Sequence, residues 1–264
     1  MCKVIAMVNQ KGGVGKTTTA FNLGYALTRA GRKVLEIDLD PQGSLTVSLG
    51  YDDNDNLKNT IATLMALAIE EEPLPAPDEF IIRTGSVDLI PCNIELSAIE
   101  VSLVNAMSRE VILKSIIDDI KDSYDYIIID CSPSLGMLTI NALAACDSVI
   151  IPVTPQYLSA KGLELLLKNI LRVKKRINAG IEIDGILLTM FVERTNLTRE
   201  ITEMITEAYG NAINIYKSRI PNSVTVGYSV LKSKSIIEYA KTNKVAQAYQ
   251  EFALEVIAHD TAGK

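Results

Sequence analysis

The chain has 264 residues, 48% of them hydrophobic and 22% charged, with a net charge of −6. That balance suits a globular protein with a full core, and it excludes a surface that traps nucleic acid all over while leaving room for local basic patches. No apolar run approaches the roughly 18–20 residues of a membrane span. The N-terminus shows no secretory pattern, and Cys2, Cys92, Cys131 and Cys146 have no metal-ligand spacing, which fits a reduced cytoplasm.

In chain order, the first predicted element is an apolar strand, Lys3–Val8, followed by a glycine-rich stretch and a helix opening near Thr17. Leu23, Leu27 and Ala30 recur at helical spacing, and Gly31 stops the helix. A strand over Lys33–Leu39 ends in a turn at Pro41 and Gly43. Polar or proline-rich loops, Asp52–Asn59 and Pro73–Asp78, flank a short helical stretch, Leu57–Ile69. Further strands are predicted at Val87–Ile90, Tyr126–Asp130, Ser148–Val153, Gly185–Met190 and Asn214–Tyr216. Between Ser148–Val153 and Gly185–Met190 lies a helix with its apolar stripe at Leu163, Leu166, Ile170, Val173 and Ile177. Runs of four or more apolar residues suit strands buried on both faces. The expectation is an α/β fold, with a doubly wound, mainly parallel sheet flanked by helices, in one domain over residues 1–264.

The stretch "VNQKGGVGKTTTAFN" (Val8–Asn22) stands between a strand and a helix, the context of a phosphate-binding loop. Glycine lets backbone N–H groups turn inward and approach phosphate oxygens, and the helix start adds positive potential. The expected nucleotide contacts are Lys11, Gly12, Gly13, Val14, Gly15, Lys16, Thr17 and Thr18. Lys16 reaches the terminal phosphates and the Thr17 hydroxyl suits Mg²⁺. The first glycine of the common G-x-x-x-x-G-K-[ST] pattern is here Gln10, and Lys11 stands beside it.

This K-G-G-x-G-K-T variant resembles the deviant Walker A loop of the ParA/MinD ATPases. The resemblance implies that Lys11 crosses a dimer to the partner's nucleotide, as an arginine finger supplies charge in trans. "LEIDLDPQGSLT" (Leu35–Thr46) resembles the family's D-x-D-P-Q-G-N switch, which implies that Asp40 orients the attacking water and Asp38 supports Mg²⁺ and phosphate. Ser44 replaces the usual Asn, and Glu36 has no role in this reading. "YIIIDCSPSLG" (Tyr126–Gly136) is similar to a Walker B strand, with Asp130 on Mg²⁺ through water. "GILLTMFVERTNLTREI" (Gly185–Ile201) resembles another family segment, and "SRIPNSV" (Ser218–Val224) the loop that holds adenine, through Pro221 and either Asn222 or Ser223. In "IPVTPQYLSAKGLELLL" (Ile151–Leu167), Gln156 and Lys161 replace two acidic positions of the family pattern.

Within that family the ParA/Soj partition ATPases fit best. They imply ATP and Mg²⁺ as cofactors, an ATP-dependent homodimer, nonspecific DNA as a partner, and slow hydrolysis stimulated by a ParB-like protein. Localisation would be cytoplasmic and nucleoid-associated. Lys161, Lys168, Arg172, Lys175 and Arg176 share one helical face opposite the apolar stripe at about 100° per residue. Arg194, Arg199, Lys217, Arg219, Lys232 and Lys234 add cations near the C-terminal third. Two positions that carry arginine in the family are here Asn222 and Thr225, so the DNA contact is expected to rest on the others.

Three rival readings are weaker. A MinD-like membrane-positioning ATPase needs a basic amphipathic C-terminal helix, whereas Val245, Tyr249, Phe252 and Val256 read as a core stripe; no membrane partner is expected. An iron-protein-like reductase needs cysteines in glycine-rich loops, which Cys92 and Cys131 do not supply. A metabolic ligase or kinase could use the same loop. His259, the only histidine, lies near the chain end, so no histidine base is expected.

Overall fold

The computed structural model describes residues 2–192 and 195–262, with backbone alone at 157–161 and 262. Its strands are β1 (Lys3–Met7), β2 (Val34–Leu39), β3 (Ile82–Arg83), β4 (Asp88–Ile90), β5 (Tyr126–Cys131), β6 (Ser148–Val153), β7 (Glu182–Phe191) and β8 (Ile215–Pro221). The helices up to the middle of the chain are α1 (Lys16–Arg29), α2 (Ser44–Ser48), α3 (Ile61–Ile69), α4 (Pro77–Phe80), α5 (Leu96–Leu103) and α6 (Ile112–Ile120). They are followed by α7 (Met137–Ala145), α8 (Tyr157–Arg176), α9 (Asn196–Tyr209), α10 (Thr225–Val230), α11 (Ile236–Tyr239) and α12 (Lys244–Ala262).

The strands form one sheet in the order β3-β4-β2-β5-β1-β6-β7-β8. Among the described residues only β3 pairs antiparallel, with β4. Alternation along the strands sends each set of side chains to its own core. Leu35, Ile37, Ile127 and Ile129 pack with α3 and α5 to α9 on one face. Ile5, Met7 and Ile128 pack with α1, α11 and α12 on the other. Both faces are therefore covered, which explains the unbroken apolar runs of the central strands.

The doubly wound expectation holds. β1 lies between β5 and β6, and the crossover through α1 runs to one side of it while that through α7 runs to the other. Such a reversal opens a crevice beyond the carboxyl ends of the strands, where ligands bind in open α/β sheets.

The departures are local. Strand β3 was not expected, because two residues carry no periodicity. The helix expected from Leu57 begins at Ile61, where Thr60 and Thr63 form a capping box. The strand expected over Asn214–Tyr216 runs on to Pro221 at the sheet edge, with Lys217 and Arg219 turned outward. Val245, Tyr249, Phe252 and Val256 are buried as expected.

Candidate nucleotide site

The loop after β1 places two glycines in the left-handed region, Gly13 at φ 71° and Gly15 at φ 83°. Gly15 is the N-cap residue of α1 and offers no side chain to its first N–H groups. Those donors are left for a ligand, as at anion sites on helix starts. The loop is tied down on both sides. Thr189 Oγ1 donates to Val14 O at 2.7 Å, and Asn9 Nδ2 donates to Pro152 O at 2.7 Å.

The two lysines go in different directions. Lys16 is 6% exposed, and its Nζ approaches the carbonyl of Lys11 at 3.4 Å. Burial makes its ammonium more acidic than usual, and Asp130 opposes that shift. Lys11 Nζ instead reaches outward to donate to Gln156 Oε1 at 2.7 Å, at the turn between β6 and α8.

Adjacent strands bring Asp38 of β2 and Asp130 of β5 into register. Both are fully buried. Asp38 is saturated: Oδ2 accepts from Thr46 N at 2.8 Å and Thr46 Oγ1 at 2.7 Å, and Oδ1 accepts from Asp40 N at 3.2 Å. Burial pushes its carboxyl up to about 6 against the pull of these bonds. Neither oxygen of Asp130 has a partner in hydrogen-bond geometry. Burial and the Asp38 charge raise its pKa well above the ordinary value, while Thr17 and Lys16 oppose them.

An orphaned buried carboxylate beside a hydroxyl is a fit for a small hard cation. Among the described residues no cluster of three or more His, Cys, Asp or Glu could hold a metal alone. Mg²⁺ with one or two protein ligands, and phosphate and water for the rest, matches this sparse donor set. Asp130 and Thr17 are the residues that would hold it; Asp38 is bonded to the turn that carries Asp40. Asp40 is partly exposed, and its Oδ1 accepts from Gln42 N at 3.1 Å.

A cavity of about 190 Å³ opens beside the loop, lined by Gly15 and Thr18 on one side and Pro221, Asn222 and Ser223 on the other. The late loop thus meets the phosphate loop across this cavity. Ser223 Oγ accepts from Thr225 N at 3.2 Å, and Asn222 N donates to Phe191 O at 3.2 Å. Sequence reasoning missed the other lining residues, Thr189, Met190, Ile220, Val226, Gly227 and Tyr249. Met190 stands at φ 50°, which no spacing announces, and Tyr249 shares a hydroxyl–hydroxyl hydrogen bond with Thr19 at 3.3 Å from a helix that reads as plain core. A larger groove of about 520 Å³, lined by Tyr25, Arg29 and Lys241 among others, lies between α1, α11 and α12 and contains none of the predicted site residues.

Glu36 also finds a place. It is fully buried under α1, both oxygens lack partners, and a Cβ on Gly24 would collide with Oε1. Burial, then Asp130 and Asp38, raise its pKa well above the usual carboxyl value.

The basic candidates are scattered over the surface. Lys168, Arg172, Lys175 and Arg176 are exposed on α8, but Lys168 is paired with Glu164 at 2.5 Å. Arg219 lies over the Phe191 ring at 4.8 Å, and Lys234 pairs with Glu238 at 2.7 Å, next to exposed Lys232. Arg194 and the Lys161 side chain lie outside the described residues. Among the described residues no helix is long and apolar enough to cross a membrane.

A strand–glycine loop–helix with a buried lysine and a facing aspartate defines a P-loop nucleotide-binding protein. The AAA domain family model matches residues 2–183. Curated relatives include the sporulation initiation inhibitor protein Soj of Bacillus subtilis, 42% identical over 98% of this chain and 100% of that protein. The chromosome-partitioning ATPase Soj of Treponema pallidum is 38% identical over 98% and 99%. Among solved structures, cobyrinic acid a,c-diamide synthase from Mycobacterium smegmatis with bound ADP and magnesium superposes at a TM-score of 0.86, with 34% identity over 100% of this chain and 97% of that one. The chain belongs to the AAA domain family, and within it to the ParA/Soj-type partition ATPases.

Proposed function

We propose that this chain binds ATP with Mg²⁺ and hydrolyses it slowly, that ATP joins two copies face to face, and that the dimer holds nonspecific DNA until a ParB-like partner stimulates hydrolysis. The observation that carries this reading is the divergence of the two lysines. One ammonium is buried in its own loop and the other lies outside it, on exposed Gln156.

In this reading Lys16 and the α1 N–H groups neutralise the nucleotide held by the same chain, and Lys11 serves the nucleotide of the second copy. Asp130 and Thr17 hold Mg²⁺, which supplies charge neutralisation at the phosphates when bound. Asp40, on a turn fixed by Asp38 and Gln42, orients the attacking water. With no histidine near, turnover stays slow until a partner completes the arrangement. Exposed Arg172, Lys175, Arg176, Arg219 and Lys232 supply phosphate contacts, so DNA binding depends on ATP and falls steeply with salt. The dimer acts in the cytoplasm, on the nucleoid, and the whole of residues 1–264 serves as one ATPase domain.

The test is mass measurement in solution with ADP and with ATP, for the wild type and Lys11→Ala, with and without plasmid DNA. ATP should double the mass of the wild type alone; equal doubling in Lys11→Ala removes the trans role. A second reading, a small-molecule synthase, draws support from the 34% identity to the diamide synthase. Turnover that depends on a small acceptor, and not on DNA or protein, would favour it.

A further inference from the structure

The contact between Lys11 and Gln156 has a consequence for dimerisation. The phosphate loop is joined to the β6–α8 turn by a short relay. Asn9, 6% exposed, donates from Nδ2 to Pro152 O at 2.7 Å and accepts from Lys11 N at 3.0 Å through Oδ1. The Lys11 ammonium then bonds Gln156 Oε1 at 2.7 Å, and Gln156 N is held by Thr154 O at 2.7 Å. The backbone of Lys11 is thus fixed from inside, while its ammonium rests on an exposed amide just before the first turn of α8.

The geometry assigns Gln156 as a positioning residue for Lys11: it parks the ammonium on its own chain until a second copy offers a phosphate. This rests on the trans role of Lys11 proposed above. An ammonium cannot occupy the amide and a partner's phosphate at once, so dimerisation must break the contact. A neutral acceptor suits that exchange. It orders the lysine near the mouth, yet holds it less firmly than a carboxylate would. Removing the acceptor should ease release, and adding charge should hinder it.

The experiment compares wild type, Gln156→Ala, Gln156→Glu and Lys11→Ala as full chains, reading the ATP concentration at half-maximal dimerisation by light scattering. An exposed charged contact is worth a factor of about 2–5. Gln156→Ala should therefore need about 2–5-fold less ATP than wild type, and Gln156→Glu at least as much more. The Glu effect should shrink at high salt, since the new ion pair is screened. Unfolding midpoints of the two Gln156 variants should not move, because that side chain is exposed.

Shifts of opposite sign support the parking role, since a merely structural position would weaken dimerisation in both variants. Shifts of the same sign, or none in either variant while Lys11→Ala fails to dimerise, overturn it and leave the trans lysine standing. Normal dimerisation of Lys11→Ala overturns the trans reading itself.

Discussion

The floor of the nucleotide site and the outer face of α8 both carry charged residues, yet they differ in kind. At the floor, Asp130 and Glu36 are fully buried with unpartnered oxygens. On α8, Lys168, Arg172 and Lys175 stand in solvent, one of them already matched by an acid. A buried, unsatisfied acid costs folding free energy and so needs a reason, whereas an exposed lysine needs none. The contrast recurs within the floor itself. Asp38 and Asp130 sit side by side on β2 and β5, but three donors occupy the first and leave the second open.

Asp130→Asn puts the largest effect on that contrast. Magnesium-dependent hydrolysis should fall about 100-fold or more, the scale expected when a charge at a phosphoryl-transfer site is lost. Thermal stability should not fall, since the carboxyl it removes is buried with no hydrogen-bond partner. Hydrolysis at the wild-type rate would show that the open aspartate has no cation to hold. Thr46→Val addresses the occupied aspartate instead. The Thr46 hydroxyl donates to Asp38 and accepts from Cys92 N at 2.9 Å, so buried Cys92 N loses this partner and Asp38 loses one of its three donors. The expected cost is about 2–4 kcal/mol, seen as a fall in unfolding midpoint of about 4–12 °C. Magnesium-dependent hydrolysis should survive. Loss of hydrolysis with intact stability would erase the distinction between the two carboxylates.

Much of this was legible in the sequence because the central strands are buried on both faces and the glycine loop needs backbone angles that few residues adopt. Lys16, Thr17 and Asp130 fall together because β1 and β5 pair in register, Met7 opposite Asp130. What could not be read was how each polar group is satisfied. "DLD" gives no sign that Asp38 is consumed by Thr46, eight residues on. Met190 and Tyr249 enter the nucleobase-sized cavity through a positive φ and a helix packed across the sheet, neither of which has a local signature. The cationic residues were visible in sequence, but their ion pairs with Glu164 and Glu238 depend on rotamers.

Glu36→Leu tests whether the second orphaned acid belongs to the floor's function or is only a cost. Leucine should fill the space against Gly24 and stabilise the protein by about 1–3 kcal/mol, as apolar replacements of a buried, unsatisfied acid do. The pH dependence gives the sign. The folded state holds the Glu36 proton more tightly than the unfolded chain, whose value is near the ordinary 4.5. Above that pH the folded state binds more protons, so its stability falls as pH rises toward the folded value. The gain from leucine should therefore be larger at pH 7.5 than at pH 4.5, in denaturant titrations at both. A destabilised Glu36→Leu protein would mean that the carboxyl makes contacts that its unpartnered oxygens do not reveal.

On the α8 side the effects should be smallest and confined to binding. Lys175→Ala should leave stability within about 0.5 kcal/mol, as surface substitutions do. In the ATP form it should lower DNA affinity a few-fold and reduce the slope of log affinity against log salt by about 0.9, one released counterion. Lys168→Ala should change both less, because a phosphate contact by Lys168 must first displace Glu164 at 2.5 Å. Fluorescence anisotropy across a salt series separates the two. An equal slope change for both lysines would mean that the Glu164 pair opens at no cost. A drop in unfolding midpoint would mean that the outer face of α8 contributes to the fold, contrary to its exposure.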